Sequence, residues 1–313
     1  MISGGIDIGG TKIEARLFSG DLQTIDMRRV PTPRDTLENF VDALAEQILW
    51  LEARSGSGAR LPVGVAFPGL IDRQSGRAFT SNLPVSGHDI ETVLAERIGR
   101  RLPFMNDCQA FALSEANGGA GDGFDSVVGL IMGTGVGAGL TVEGRLTRRL
   151  NGGALEVGHI GVPARTLIPR GLPLWPCGCG KQGCFEQYVS GSGLAALGSF
   201  RLGRPVTSEE VVSLASGDDT QGVAILCEWA EIAAELLLTI QLDHDPDCIV
   251  IGGGLSGLPD VVSRLETALK VIRLGETRLP VIRVAVHGGS SGARGGAILA
   301  SALEENLASG GEI

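Results

Sequence analysis

The feature that constrains this chain most is a glycine-rich turn set between two short apolar runs, and it occurs twice. Gly5–Ile8 and Ile13–Phe18 flank Gly9-Gly10-Thr11-Lys12, while Val127–Met132 and Leu140–Val142 flank Gly133-Thr134-Gly135-Val136-Gly137-Ala138-Gly139. Glycines between two β-type runs predict a hairpin. A hairpin at the head of each half is a weak internal repeat, and it predicts two related lobes with a boundary in the glycine-rich stretch 117–124. Glycine supplies 48 of 313 residues, roughly twice its usual share of about 7%. Glycine in a patterned chain at that level means tight turns or backbone brought close to a ligand.

Between and after the hairpins, helical and strand periods alternate. Leu37, Phe40, Val41, Leu44, Ile48 and Leu51 share one face of a helix running to about Ala53, with Asp35 and Glu38 as its capping pattern. Val63–Phe67 reads as a buried strand stopped by Pro68-Gly69. Helices are expected over Ile90–Ile98 and, beginning after Asp107, to a close at Leu113–Ala116. The second half adds a helix over Val223–Leu242, with Glu228, Glu231 and Glu235 near one face, and a strand over Cys248–Ile251. A helix from about Asp260, a strand over Val281–Val286 and a last helix near Ala293–Glu305 complete it. Strands interleaved with helices predict an α/β fold with central sheets.

Twenty-six basic and 36 acidic side chains leave a net charge of −10, which provides no basic field for a phosphate backbone. Nucleic acid is therefore not an expected partner. The opening residues have neither a basic nor an apolar signal region, and the carboxylates in Val223–Leu242 argue against a membrane span. The expected location is the cytoplasm, with no membrane partner.

Three glycine loops, at Gly9-Gly10, Gly133–Gly139 and Gly252-Gly253-Gly254, each follow a strand-like run. Each is either a plain tight turn or a place where successive N–H groups meet phosphate oxygens. The P-loop pattern is absent, since Gly180-Lys181 is followed by Gln182. Gly252–Gly257 fits the dinucleotide fingerprint formally, but the next strand has no acidic end for a ribose. Four further residues, His159, Cys177, Cys179 and Cys184, make a tetrahedral Cys₃His set suited to one structural zinc, the alternative being free thiols beside an unrelated histidine. Cys108, Cys227 and Cys248 read as core residues. Asn106-Asp107 lies between a strand and a helix, where Asp107 either caps the helix or accepts a hydroxyl proton in phosphoryl transfer.

Together these residues resemble the ROK family (repressors, open reading frames and sugar kinases), in the actin-like, two-lobed sugar-kinase superfamily. The resemblance spans nearly the whole chain. It is carried by Asp7-Ile8-Gly9-Gly10-Thr11-Lys12, Asn106-Asp107, Gly133-Thr134-Gly135-Val136-Gly137, Glu156-Val157-Gly158-His159 and Cys177-Gly178-Cys179-Gly180-Lys181-Gln182-Gly183-Cys184-Phe185-Glu186. It implies an actin-like ATPase/hexokinase fold with a central sheet in each lobe and the active site in the interlobe cleft. The implied lobes are 1–117, joined by the C-terminal helix at about 293–313, and 118–292 with the zinc-binding loop.

The implied activity is transfer of the γ-phosphoryl group of ATP, with Mg²⁺, to a sugar 6-hydroxyl. By the resemblance, Asp107 is the base, and Gly69, Asn82, Asn106, Glu156, His159 and Glu186 line the sugar site. Asp7, Gly9, Gly10, Thr11, Lys12, Gly133, Thr134, Gly135 and Gly137 hold the triphosphate, with Gly252, Gly253 and Gly254 beside the adenosine. His159 would put one ring nitrogen on zinc and turn the other to the sugar. Val30–Asp35, Phe111–Ala116, Asn82–Gly87 and Leu172-Pro173-Leu174 are most similar to the bacterial N-acetyl-D-glucosamine kinases, the fructokinase, mannokinase and glucokinase branches being alternatives. A homodimer is the implied assembly. Leu155, Gln187 and Gly289 depart from the family pattern. The family also contains sugar-responsive regulators with a DNA-binding segment ahead of the core. With the first hairpin beginning by Asp7, none is expected here.

Overall fold

A computed structural model describes residues 1–56, 60–81, 83–147 and 149–308. The first glycine turn closes a hairpin between Ser3–Ile8 (β1) and Lys12–Phe18 (β2), with Ile8 opposite Ile13. Thr24–Pro31 (β3) runs back antiparallel along β2. Leu37–Ser55 (α1) follows, and it buries Phe40, Leu44, Ile48 and Leu51 against Ile6, Ile13 and Val65. Each such side chain contributes roughly 1.5–3 kcal/mol. The cap of α1 is Thr36, whose hydroxyl accepts from the Asn39 N–H; Asp35 instead receives the Asn39 side chain.

Val63–Phe67 (β4) lies parallel to β1. Leu70–Ile71 (β5) and Ala78–Phe79 (β6) form a small ribbon, followed by Ile90–Ile98 (α2), Phe104–Asn106 (β7) and Asp107–Ala116 (α3). The first sheet has the order β3-β2-β1-β4-β7.

The second lobe repeats that plan. Ser126–Met132 (β8), Val136–Val142 (β9) and Arg145–Leu146 (β10) form an antiparallel meander, and Ala164–Leu167 (α4) and Glu186–Val189 (α5) flank the cysteine loop. Gly191–Leu202 (α6), Ser208–Ser216 (α7) and Thr220–His244 (α8) lead to Cys248–Gly252 (β11), Val261–Ile272 (α9), Val281–Val284 (β12) and Ser291–Ala308 (α10). The sheet order is β10-β9-β8-β11-β12, with β8, β11 and β12 parallel, as β1, β4 and β7 are in the first sheet. The weak repeat in the sequence is therefore a repeat of topology.

Two helices join the lobes. Leu113 and Ala110 of α3 pack with Ala66 and Met105 of the first lobe, while Phe111 and Ala116 of the same helix pack with Val127 and Val250 of the second. The C-terminal α10 returns to lie on β1, β4 and α3, with Ala293 and Ala297 against Phe18. The three carboxylates of α8 share a face, as expected, and that face is occupied. Glu228 pairs with Arg201, Glu231 with Arg170, and Glu235 with Arg165 and Thr166, which fastens the segment before the cysteine loop to α8. Among the described residues no helix is long and apolar enough to cross a membrane.

Candidate active site

The parallel strands of both sheets run to their carboxyl ends at one cleft between the lobes, where ligands bind in open α/β sheets. Two adjoining cavities occupy it. One, of about 460 Å³, is lined by Gly69, Asn106, Asp107, Glu156, His159 and Glu186, and by Gly133, Thr134, Gly135 and Gly137 of the second hairpin. The other, of about 420 Å³, is lined by Asp7, Phe111, Gly252, Gly253, Gly289 and Gly292 among others, and again by Asp107. Asp107 and Ile131 are the residues common to both.

The end of β7 shows why Asp107 is available. Asn106, not Asp107, caps α3. Its side-chain oxygen accepts from the Cys108 N–H at 2.8 Å and the Gln109 N–H at 3.4 Å, while Gln109 Oε1 accepts from the Asn106 N–H at 3.3 Å. Asn106 Nδ2 also donates to the Gly69 carbonyl at 3.0 Å, which ties the end of β7 to the turn after β4. Gly69 has φ +142°, and a Cβ there would overlap the Phe79 carbonyl oxygen. Asp107 accepts from the adjoining Cys108 N–H at 2.9 Å, and burial holds its carboxyl above the usual aspartate range.

Asp7 is more strongly perturbed. Burial, then the neighbouring Asp107 and Glu14 carboxylates, push it up to about 7. Among the described residues no hydrogen bond reaches its carboxylate, so Asp7 faces the second cavity as a carboxylate open to a divalent cation. Gly9 to Lys12 form the tip of the first hairpin, closed by Gly9 N–H to the Lys12 carbonyl and pinned from below by Thr32 and Arg34. Lys12 Nζ lies 3.6 Å from Glu14. These four residues are outside both cavity linings, as is Gly254, which starts the short turn after β11. Asn82 lies outside the described residues.

The second hairpin differs from its sequence reading. Gly137 and Gly139 sit within β9, where they admit helix α3. A Cβ on Gly137 would lie 2.7 Å from Cys108 Sγ, and one on Gly139 would overlap the Cys108 carbonyl oxygen. Cys108 itself is a wall of the first cavity as well as a packing residue, and Cys227 is exposed rather than in the core.

His159 ends a single 3-10 turn whose preceding residue is Glu156, and burial raises the Glu156 carboxyl. Ligand atoms of His159, Cys177, Cys179 and Cys184 all lie within 4.8 Å of one another. His159 Nδ1 is 3.5 Å from Cys177 Sγ, and Cys179 Sγ is 3.6 Å from Cys184 Sγ. A tetrahedral ion with metal–sulfur bonds of about 2.3 Å needs donor atoms about 3.5–3.8 Å apart, so the set fits a closed four-ligand centre. Glu186 begins α5 directly after the loop. Its Oε2 accepts from the Val136 N–H at 3.0 Å and its Oε1 lies 3.9 Å from Cys177 Sγ.

Comparison with known proteins agrees with this architecture. The chain is 37% identical to an N-acetylgalactosamine kinase of Shewanella sp. (strain ANA-3), over 97% of this chain and 98% of the relative. It is 38% identical to an N-acetyl-D-glucosamine kinase of Shigella flexneri serotype 5b (strain 8401), over 94% and 98%. The crystal structure of a ROK hexokinase from Thermus thermophilus superposes with a TM-score of 0.85 at 30% identity, covering 98% of this chain and all of the other. The sequence model of the ROK family matches residues 3–303, and this chain belongs to the ROK family.

Proposed function

We propose that this protein is an ATP-dependent hexosamine kinase that phosphorylates the 6-hydroxyl of N-acetyl-D-glucosamine. The observation that carries the reading is the position of Asp107 at the junction of two cavities. One offers hydroxyl-binding side chains, the other Asp7 from β1 and the glycines at the end of β11. Asn106, Glu156, His159 and Glu186 then hold the sugar, with Gly69 along the same wall. The Gly9–Lys12 and Gly133–Gly137 turns present N–H groups to the triphosphate, and Gly252–Gly254 flank the adenosine.

In the reaction Asp107 takes the proton of the 6-hydroxyl as that oxygen attacks the γ-phosphorus. The bond from phosphorus to the bridging oxygen of ADP breaks, and the loops' N–H groups stabilise the charge on the transferring group. Burial that raises the Asp107 carboxyl makes it a better proton acceptor. Mg²⁺, held with the nucleotide through Asp7, would neutralise phosphate charge. Zinc in the His159, Cys177, Cys179 and Cys184 set would be a structural clip, fixing the His159 ring whose other edge meets the sugar.

N-acetylgalactosamine, differing only at C4, is the second reading, favoured by the Shewanella relative. A coupled ADP-release assay across N-acetylglucosamine, N-acetylgalactosamine, N-acetylmannosamine, glucose, mannose and fructose tests both. Preference for N-acetylglucosamine supports the proposal, preference for another sugar moves the substrate, and turnover of none removes the kinase reading. Light scattering of the purified protein tests the homodimer that belongs to the same reading.

A further inference from the structure

Asp107, Phe111 and Glu115 recur every four residues along α3, so they stand on one face of one helix. Asp107 and Phe111 line the nucleotide-side cavity. Glu115 stands about 12 Å further along the axis and is fully buried, so it does not reach the transferring group. Among the described residues its carboxylate nevertheless accepts four hydrogen bonds, and they come from both connections between the lobes.

The chain crosses from the first lobe to the second through 117–125 and returns through 285–290 into α10. Both crossings end on Glu115. Oε2 accepts from the Ala120 N–H at 3.1 Å and the Val286 N–H at 3.0 Å; Oε1 accepts from the His287 N–H at 3.0 Å and the Ser291 hydroxyl at 2.9 Å. Arg294 of α10 makes the reverse connection, donating to the Ser114 carbonyl of α3 and to the Asn117 carbonyl at the start of the outward crossing. His287 Nε2 lies 3.0 Å from the Gly118 carbonyl oxygen. The returning segment is itself a wall of the nucleotide-side cavity, through Ala285, Gly288, Gly289, Ser291 and Gly292. Three of the four donors to Glu115 therefore belong to that returning segment, and one of them, Ser291, lines the cavity itself.

We propose that Glu115 is the positioning residue of the nucleotide half of the site. It locks the 285–292 wall to the far end of the helix that carries Asp107, so that nucleotide and base are held in one frame. The inference rests on the kinase reading for its consequence in turnover, but its effect on nucleotide affinity is separable from any sugar.

Glu115→Gln tests it. The substitution keeps shape and replaces one acceptor oxygen by an NH₂ group that faces two donors. ADP binding is followed by calorimetry without sugar, and KM is measured for ATP and for sugar separately. The expected result is folded protein whose ADP Kd and ATP KM rise about tenfold, while the sugar KM stays within about twofold. Ser291→Ala, which removes one donor to the same carboxylate, weakens ADP binding in the same direction. In the double variant the two effects do not add.

ADP affinity within about twofold of wild type in folded Glu115→Gln, or an equal rise in both KM values, overturns the proposal. If Glu115→Gln does not fold, Ser291→Ala decides alone, and unchanged ADP affinity there overturns it. A wild type that phosphorylates no sugar yet binds ADP defeats the kinase reading while leaving the calorimetric test of Glu115 intact.

Discussion

Glu186 Oε2 accepts a 3.0 Å hydrogen bond from the Val136 N–H, joining the residue after the cysteine loop to the turn of the second hairpin. The same carboxylate crowds Gly135, where a Cβ would stand 2.7 Å from Oε2. The loop that holds three of the four metal-type ligands and the loop proposed to hold phosphate are thus positioned by one side chain.

Gly135→Ala follows from that contact. The obstructed atom is the end of a flexible side chain, so the fold adjusts and Glu186 is displaced. The sugar KM is expected to rise about tenfold, equivalent to about 1.4 kcal/mol, with the melting temperature nearly unchanged. Steady-state kinetics together with thermal unfolding check this, and an unchanged sugar KM would remove Glu186 from the sugar.

Asp107→Asn keeps the size of the side chain and removes the base. Turnover is expected to fall by about 10²–10⁴, while circular dichroism and sugar binding by calorimetry stay close to wild type. Activity within a few-fold of wild type would take the proton acceptor elsewhere.

For the cysteine set the informative change is Cys179→Ser, because Cys179 is exposed while Cys177 and Cys184 are buried. Losing one of four ligands should lower zinc content below one ion per chain by elemental analysis and reduce the melting temperature by several degrees. Dialysis of the wild type against a chelator should do the same. Full zinc content in a variant of unchanged stability would refute the closed tetrahedral centre.

Asp7 gives the pH dependence. Its carboxyl is raised from 3.8 to about 7 in the folded protein, so the native state keeps a proton that the unfolded chain gives up. The resulting stability is complete below pH 3.8 and is lost as pH rises through about 7. In nucleotide-free protein Asp7→Asn is therefore expected to melt higher than wild type at about pH 8, by a few degrees, and to lose that advantage near pH 4. Parallel melting curves across the range would exclude the burial of an uncompensated Asp7 anion.

Much of this was legible because local pattern and tertiary role coincide. The Gly9–Lys12 turn must reverse the chain whatever surrounds it, and β4 and α2 have the bounds their apolar periods predict. The cysteine spacing brings three of the four ligands together without knowledge of the fold, and the pairing of Gly161 with Cys184 brings His159 to them. Other parts depend on distant neighbours. Strand β3 carries exposed charges on an edge and has little apolar signal. Helix α6 was hidden because Gly193 and Gly198 weaken the helical pattern, their absent side chains making room for Tyr188 and for Val211 of α7. Nothing local distinguished Asn106 from Asp107 as the cap, and the linkage of Glu115 to residues more than 170 positions later has no signature in the sequence.

The doubled sheet plan also determines where the molecule tolerates change. Both glycine turns sit at the cleft, so the next reversal of each meander, Ser19–Gln23 between β2 and β3 and Glu143–Gly144 between β9 and β10, falls at the opposite end of its sheet. Asp21 and Glu143 are exposed there, one on each lobe. That pair of sites suits a donor and an acceptor dye, and the energy transfer between them would read the distance between the lobes with and without ligand, with neither label near the chemistry.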